Sequence, residues 1–155
     1  MPDVEELARG VPAQIALQNA ERKARAVESG GRLVLGVDTL VALDGAVYGK
    51  PADVGEARTT LQTLAGREHA VIGGLCLRRG EESRTGVATT LVRFRTLDDA
   101  LIDAYLDTGE WHDRAGAYAI QGRGAALVER IEGDYLNVVG LPVALLLELE
   151  PGLLG

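Results

Sequence analysis

The chain has 155 residues, of which 46% are hydrophobic. This content is enough to bury a core, so we expect one domain over residues 1–155 and exclude a disordered tail. A formal net charge of −7 argues against a broad nucleic-acid surface but allows a small anionic ligand. Because no apolar run is long enough for a membrane span and the first ten residues lack a signal-peptide pattern, we expect a cytoplasmic protein without membrane contact.

The basic residues are nearly all arginines. Lys23 and Lys50 are the two lysines in the sequence, and Asn19 and Asn137 are the two asparagines. Under a coding bias toward arginine, a lysine persists mainly where a compact, flexible point charge is needed. Both lysines are therefore candidates for a specific role, with chance as the alternative.

The first predicted element is a helix over residues 12–29. Ala16, Ala20, Ala24 and Val27 share one arc of this helix. Lys23 falls within the same apolar arc, where a charge is costly unless the side chain reaches solvent or meets an anion. The helical pattern alone leaves these two alternatives open.

A buried strand is predicted next, over residues 32–38, ending at Asp38 and Thr39. Ligands commonly bind at the carboxyl end of such a strand. The Asp44-Gly45 pair then predicts a type I′ hairpin, with strands at residues 40–43 and 46–48. This hairpin leads the chain to Lys50.

Two further helices and a second hairpin follow. Asp53 and Thr96 are the predicted helix caps, and strands at 69–78 and 82–95 are predicted to pair. The residues expected to face inward on the two helices are Val54, Ala57, Leu61 and Leu64, then Leu97, Leu101, Ala104 and Tyr105. Cys76, the single cysteine, is expected to be a small core residue.

The last third is richer in glycine. Residues 113–124 form a mixed segment that contains Gln121 between glycine-rich stretches, followed by a predicted strand at 126–131 and a short apolar terminal helix. Together, Asp38, Lys23, Lys50 and Gln121 make a plausible site for a phosphate chain with a metal ion. Their spacing alone does not identify the substrate.

Several segments resemble, in their order and in their amino-acid sequence, the Maf family of nucleotide pyrophosphatases, also called septum formation proteins. The matching segments are Asn19-Ala-Glu-Arg-Lys-Ala24, Leu35-Gly-Val-Asp-Thr39, Asp44-Gly45 with Gly49-Lys-Pro51, Ala115-Gly-Ala-Tyr-Ala-Ile-Gln-Gly-Arg-Gly124, and Gly133-Asp-Tyr-Leu-Asn-Val-Val-Gly-Leu-Pro142. The likeness extends from about Val4 to the end of the chain.

The resemblance implies an α/β fold of the Maf and ITPase-like type, with a mixed, elongated sheet flanked by helices and a deep cleft. It implies cleavage of a nucleoside triphosphate between the α and β phosphates, with Mg²⁺ or Mn²⁺. Carried over by position, Asp38 is the catalytic proton acceptor and a metal ligand, Lys50 is a catalytic residue that binds phosphate, and Lys23 also binds phosphate. Glu6, with Glu5 as the alternative, is a second acid of the metal and substrate site.

The resemblance also indicates a base preference. Thr39 and Gln121 match the branch of the family that acts on dTTP and UTP, rather than the branch that acts on 7-methyl-GTP. We therefore expect Thr39 and Gln121 to contact the substrate and set its base. A role in clearing unwanted nucleotides, with a link to cell division arrest, follows from the same resemblance. Homodimers are a family tendency that the sequence does not demand.

The amino terminus departs from the family pattern. Family members begin with a strand and a Ser-x-Ser-Pro-Arg-Arg loop that contributes to phosphate binding, and nothing of that kind precedes Val4. We expect either a misplaced start or a shortened paralogue, and favour the misplaced start. The alternatives to an active enzyme are a catalytically impaired, nucleotide-binding regulator and a globular domain without a ligand.

Overall fold

The computed structural model describes residues 10–154. Its helices and strands, in chain order, are α1 Val11–Arg25, β1 Val34–Leu43, β2 Ala46–Tyr48, α2 Val54–Leu64, β3 Glu68–Arg79, β4 Glu82–Phe94, α3 Asp99–Asp107, β5 Val128–Glu132, α4 Tyr135–Val139 and α5 Val143–Leu149. Short 3-10 helices span Ala115–Ala117, Arg123–Leu127 and Pro151–Leu154. None of the helices within residues 10–154 has the length and hydropathy of a bilayer span.

The five strands form one sheet in the order β2-β1-β3-β4-β5. β2 pairs with β1, and β5 with β4, in antiparallel register. β3 and β4 are neighbours joined through Gly80 and Glu81, which confirms the predicted second hairpin. A sheet with flanking helices confirms the predicted α/β class; the predicted loss of a first strand concerns residues outside the described range.

Helix α1 is shorter than predicted. It ends at Arg25 instead of reaching Ser29, and Val27, expected to face inward, is 53% exposed. The Arg78 guanidinium donates hydrogen bonds to the carbonyl oxygens of Ala24 (3.2 Å) and Val27. Because a helix leaves its last carbonyls without internal partners, a side chain that binds them stabilises the helix end at this point.

The first hairpin forms at the predicted turn, but its first strand is longer than predicted. Leu43 pairs with Ala46 around Asp44 (φ 52°) and Gly45 (φ 81°), as a type I′ turn requires. Asp38 was predicted to lie at a strand end, and this is wrong: β1 continues through Asp38 to Leu43. The two short predicted strands are a single strand, because Thr39 between them is also part of β1.

The predicted cap residue is correct for α2 and wrong for α3. Asp53 caps α2 as predicted, accepting a hydrogen bond from Glu56 N at 2.8 Å. For α3 the predicted cap at Thr96 is wrong, because Asp98 accepts from Leu101 N at 2.8 Å. The buried residues of α3 are Ile102, Tyr105 and Leu106.

Some of the predicted inward residues on these helices are therefore wrong. Val54 on α2 is half-exposed, and Ala104 on α3 is exposed, whereas Leu101 is only partly buried. The remaining predictions are confirmed: the buried residues are Ala57, Leu61, Leu64, Leu97 and Tyr105. The last predicted strand starts two residues late, at Val128, since the preceding residues form the 3-10 helix Arg123–Leu127.

The chain divides into two compact units. One comprises the described part of Met1–Thr39 together with Ile72–Thr89 and Asp134–Gly155, and the other comprises Leu40–Val71 and Thr90–Gly133. We call these unit 1 and unit 2. In unit 1, Cys76 is buried with Ala20, Ala24 and Val34, which confirms its prediction as a core residue.

Unit 1 is built on a close approach of α1 to two strands. A Cβ at Gly36 on β1 would lie 2.8 Å from Ala24 N and closer still to the carbonyl oxygen of Ala20. A Cβ at Gly74 on β3 would lie 2.9 Å from Leu17 N. The helix backbone therefore rests directly on the sheet, which requires glycine on the strands and small residues on the helix.

Unit 2 has an aromatic core. The rings of His69, Phe94 and Tyr118 pack edge to face with centroids 4.7–5.5 Å apart. His69 Nε2 and the Tyr118 hydroxyl share a hydrogen bond of 2.7 Å, while His69 Nδ1 is buried without a hydrogen-bond partner in the described residues. Burial lowers the pKa of His69 to about 3, because it disfavours the charged imidazolium.

We predict that Gly36→Ala lowers the free energy of unfolding by roughly 1–3 kcal/mol, the usual range for overpacking a tight contact. Thermal unfolding followed by circular dichroism measures this change. Gly152→Ala is the matched control, since a Cβ there meets nothing within 4 Å and should leave the midpoint nearly unchanged. Equal midpoints for the two variants would contradict the close approach of α1 to β1.

We also predict that His69 makes unfolding pH-dependent. The unfolded chain binds a proton on His69 below about pH 6.5, and the folded chain does not until about pH 3. The stabilisation by neutral His69 is therefore fully present above about pH 6.5 and is lost as the pH falls toward about 3. In this range the free energy of unfolding decreases by up to about 1.4 kcal/mol per pH unit. Urea unfolding at pH 7 and pH 5 should show a smaller loss in His69→Gln than in the wild type.

His112→Gln is the control for this experiment. His112 is the second histidine and is exposed, with 70% of its side chain accessible. Its replacement should leave the difference between pH 7 and pH 5 unchanged. A loss in His69→Gln as large as in the wild type would show that His69 is not the titrating group.

Candidate functional site

Three side chains of unit 1 meet at one carboxylate. Lys23 Nζ lies 3.0 Å from Asp38 Oδ1, and Asn19 Nδ2 donates to Asp38 Oδ2 at 3.0 Å. Lys23 also donates to the carbonyl oxygen of Val37 at 3.1 Å. Each oxygen of Asp38 thus has its own donor, so the carboxylate is held in one orientation.

The local structure explains why these residues meet. Asn19 and Lys23 are four residues apart and therefore share one face of α1. Gly36 and Asp38 are two residues apart and share one face of β1. Because α1 packs directly on Gly36, the side chains of Asn19 and Lys23 are brought to Asp38.

This geometry satisfies both alternatives for Lys23. Its side chain is 54% exposed and pairs with Asp38, which is 15% exposed. Lys23 therefore both reaches solvent and meets an anion, the carboxylate of Asp38.

Asp38 retains capacity for a further ligand. A carboxylate offers about four lone-pair sites, and Asn19 and Lys23 each occupy one. Residues 10–154 contain no cluster of three or more His, Cys, Asp or Glu side chains suited to a metal ion. A single carboxylate is nonetheless compatible with Mg²⁺, which is often held by one or two carboxylates together with substrate phosphates and water. Glu6 and Glu5, the predicted second acids, lie outside the described residues.

Thr39 lies in β1 directly after Asp38 and is partly buried. Successive side chains of a strand point to opposite faces. Thr39 is therefore directed away from the face that carries Asp38, and the structure does not bring it into the group formed by Asn19, Lys23 and Asp38.

Unit 2 carries the other two predicted site residues. Lys50 is exposed and follows Gly49, whose carbonyl oxygen accepts a hydrogen bond from Gly116 N at 3.2 Å. This bond ties the Lys50 loop to the glycine-rich segment that continues to Gln121. Gln121 is exposed, whereas Ile120 before it is buried. The segment thus presents the Gln121 amide to solvent.

Sequence reasoning missed two residues beside these predicted positions. Asn19 was recognised as rare and as part of a family segment, but its position one helical turn before Lys23 was not used. Glu110 had no recognised role, yet its carboxylate binds the backbone of the segment that carries Gln121. No sequence pattern marks Glu110, because two of its partners are main-chain N–H groups more than ten residues away.

Comparison with known proteins agrees with these observations. The family model described as Maf-like protein matches residues 1–150. A dTTP/UTP pyrophosphatase of Thermococcus gammatolerans is 49% identical over 149 residues, covering 96% of this chain and 80% of the relative. The dTTP/UTP pyrophosphatase of Symbiobacterium thermophilum is 50% identical over 147 residues, covering 92% and 76%. The enzyme of the same name from Pyrococcus furiosus is 46% identical over 140 residues, covering 89% and 74%. The resemblance seen in the sequence is confirmed, and the chain belongs to the Maf family.

Proposed function

We propose that this protein hydrolyses nucleoside triphosphates of the dTTP and UTP type to the monophosphate and pyrophosphate. The observation that carries the proposal is the Asp38 carboxylate, held on both oxygens by Asn19 and Lys23. Support comes from family membership and from relatives at 46–50% identity that are named dTTP/UTP pyrophosphatases. One family model covers nearly the whole chain, so we propose residues 1–155 as one functional domain.

In the proposed reaction a water molecule attacks the α-phosphorus of the substrate. The new bond joins the water oxygen to this phosphorus, and the bond to the α–β bridging oxygen breaks. Pyrophosphate leaves with the bridging oxygen and its electron pair, and Asp38 accepts the proton from water. A proton acceptor must be fixed within hydrogen-bonding reach of the attacking group. The contacts from Asn19 and Lys23 provide this fixed orientation.

The lysines have an electrostatic role in this proposal. Lys23 and Lys50 each supply an ammonium group with three rotatable donors, which suits the negatively charged oxygens of a phosphate chain. Lys50 is exposed on a loop tied to the Gln121 segment through Gly49 and Gly116. Neutralising charge that develops on the phosphate oxygens lowers the barrier to cleavage.

A divalent cation fits the same proposal. Asp38 is the described residue that would hold Mg²⁺ or Mn²⁺, with Glu6 proposed as a second acidic ligand from outside the described range. The ion would neutralise charge on the phosphate oxygens. Gln121, through its amide, and Thr39 are proposed to contact the base and set its preference. Removing unwanted nucleotides is the proposed cellular role.

We predict that Asp38→Asn abolishes nearly all pyrophosphate release from dTTP, by roughly 100-fold or more, because the amide cannot accept the proton. An enzyme-coupled pyrophosphate assay measures the rate. Asp44→Asn is the matched control on the same hairpin, since Asn-Gly also favours the type I′ turn and the exposed ion pair of Asp44 with Arg67 contributes little. Unchanged turnover in Asp38→Asn, with native circular dichroism, would remove Asp38 from the mechanism.

We predict that Lys50→Met lowers kcat/KM for dTTP by roughly 10- to 100-fold, in line with losing a charge-assisted hydrogen bond. Steady-state kinetics at two salt concentrations measures the loss, which should shrink at high salt. Lys50→Arg retains the positive charge and should recover part of the activity. If Lys50→Met and the wild type have equal kcat/KM, the lysine has no part in substrate binding.

A further inference from the structure

Glu110 lies just beyond α3, and its carboxylate accepts hydrogen bonds from another segment of unit 2. Oε2 accepts a hydrogen bond from Arg123 N at 2.8 Å, and Oε1 accepts one from Gly124 N at 3.1 Å. The Tyr105 hydroxyl donates to Oε1 at 3.0 Å. One partly buried carboxylate therefore collects three hydrogen bonds, two of them from consecutive main-chain groups.

Tyr105 extends this contact to the other side of Gln121. Its hydroxyl, from a side chain buried on α3, accepts a hydrogen bond from Ala119 N at 2.9 Å. The segment is thus held at Ala119, two residues before Gln121, and at Arg123 and Gly124, two and three residues after it. Gln121 is exposed at the centre of this stretch.

The backbone of this segment closes into a tight turn. Gly122 N donates to the carbonyl oxygen of Ala119 at 3.1 Å, so Ile120 and Gln121 are the central residues of the turn. A Cβ at Gly122 would lie 2.6 Å from Glu110 Oε2. Glycine at position 122 therefore leaves the space that the Glu110 carboxylate occupies.

The charge of Glu110 is matched to this environment. Burial alone would raise the pKa of Glu110, but the hydrogen bonds from Arg123, Gly124 and Tyr105 and the positive charge of Arg123 outweigh it, so the pKa is lower than usual. The carboxylate is ionised at neutral pH, in the form that accepts hydrogen bonds.

The end of helix α3 does not need the Glu110 carboxylate. Thr108 N bonds to the Tyr105 carbonyl oxygen, and Gly109 adopts a φ of 75°, so α3 ends through its own backbone. The Trp111 indole adds a hydrogen bond to the Leu106 carbonyl oxygen at 3.2 Å. Glu110 instead binds the first two N–H groups of the 3-10 helix Arg123–Leu127, which follows the turn directly, and so it anchors the carboxyl side of the turn.

The geometry points to Glu110 and Tyr105 as positioning residues for nucleobase recognition: they fix the turn that presents the Gln121 amide to the base of the substrate. This inference rests on the proposed function, in which Gln121 is the base contact. The pair acts through Gln121 and does not touch the reacting phosphates. Its loss should therefore weaken binding of the nucleoside part while leaving phosphate binding intact.

Steady-state kinetics with dTTP, combined with inhibition by inorganic tripolyphosphate, tests the inference. Glu110→Gln replaces one accepting oxygen with an amino group, so KM for dTTP should rise roughly 10-fold or more while kcat changes by less than about 3-fold. The inhibition constant of tripolyphosphate, which has no base, should be unchanged. Tyr105→Phe should shift KM in the same direction by a smaller factor.

Asp107→Asn is the matched control, because Asp107 is an exposed acid at the end of α3, three residues before Glu110, and its replacement makes the same change in charge. It should leave KM and the tripolyphosphate constant at wild-type values. An unchanged KM in Glu110→Gln, or an equal weakening of dTTP and tripolyphosphate, would overturn the inference.

Amide hydrogen exchange separates this inference from the proposed function. In Glu110→Gln the amides of Arg123 and Gly124 should exchange faster than in the wild type, while those of β3 stay protected. If the wild type fails to hydrolyse dTTP, the proposed function is wrong, and base recognition by the turn is wrong with it. If the wild type is active and exchange at Arg123 and Gly124 is unchanged in Glu110→Gln, the positioning role alone is wrong.

Discussion

The close approach of α1 to β1 at Gly36 is the constraint on which the candidate chemistry depends. A helix that rests backbone to backbone on a strand places its side chains within short reach of the strand's own side chains. Asn19 and Lys23 lie on the helix turns beside that contact, and Asp38 lies two residues along the strand. Bonds of 3.0 Å to both carboxylate oxygens follow from this packing. The small side chains of α1 are thus a requirement of the site as well as of the core.

In unit 2, hydrogen bonds to the loop backbone position the polar groups. Its exposed residues Lys50 and Gln121 stand on loops, where side chains are mobile unless the backbone is tied down. Main-chain N–H groups supply the ties: Gly116 N bonds to Gly49, and Arg123 N bonds to the Glu110 carboxylate. Tyr118, three residues before Gln121, belongs to the aromatic core of the unit, where it packs against Phe94. A buried, hydrogen-bonded framework therefore carries solvent-facing groups on a short turn.

The sequence predicted the main helices and strands, and the errors in their bounds have physical causes. Turn and cap chemistry is local, so Asp44-Gly45 and Asp53 were placed correctly. The extent of β1 and the end of α1 depend on distant partners, such as Arg78 at the carbonyl of Ala24, and were placed wrongly.

The low number of lysines in the sequence made them candidates for the site, and the two asparagines are equally rare. Asn19 binds Asp38, and Asn137 is fully buried and donates to the Ala88 carbonyl oxygen. Glu110 acts on main-chain groups, which leave no mark in a sequence.

We propose that this Maf family member opens the bond between the α and β phosphates of its substrate. Phosphorus NMR of dTTP incubated with the wild-type protein and Mg²⁺ tests it most directly, because the products of cleavage at the two anhydride bonds have different signals. Cleavage between the α and β phosphates gives dTMP and pyrophosphate in equal amounts, with no dTDP at any time. Formation of dTDP with inorganic phosphate, or dTTP that binds but stays intact, would contradict it.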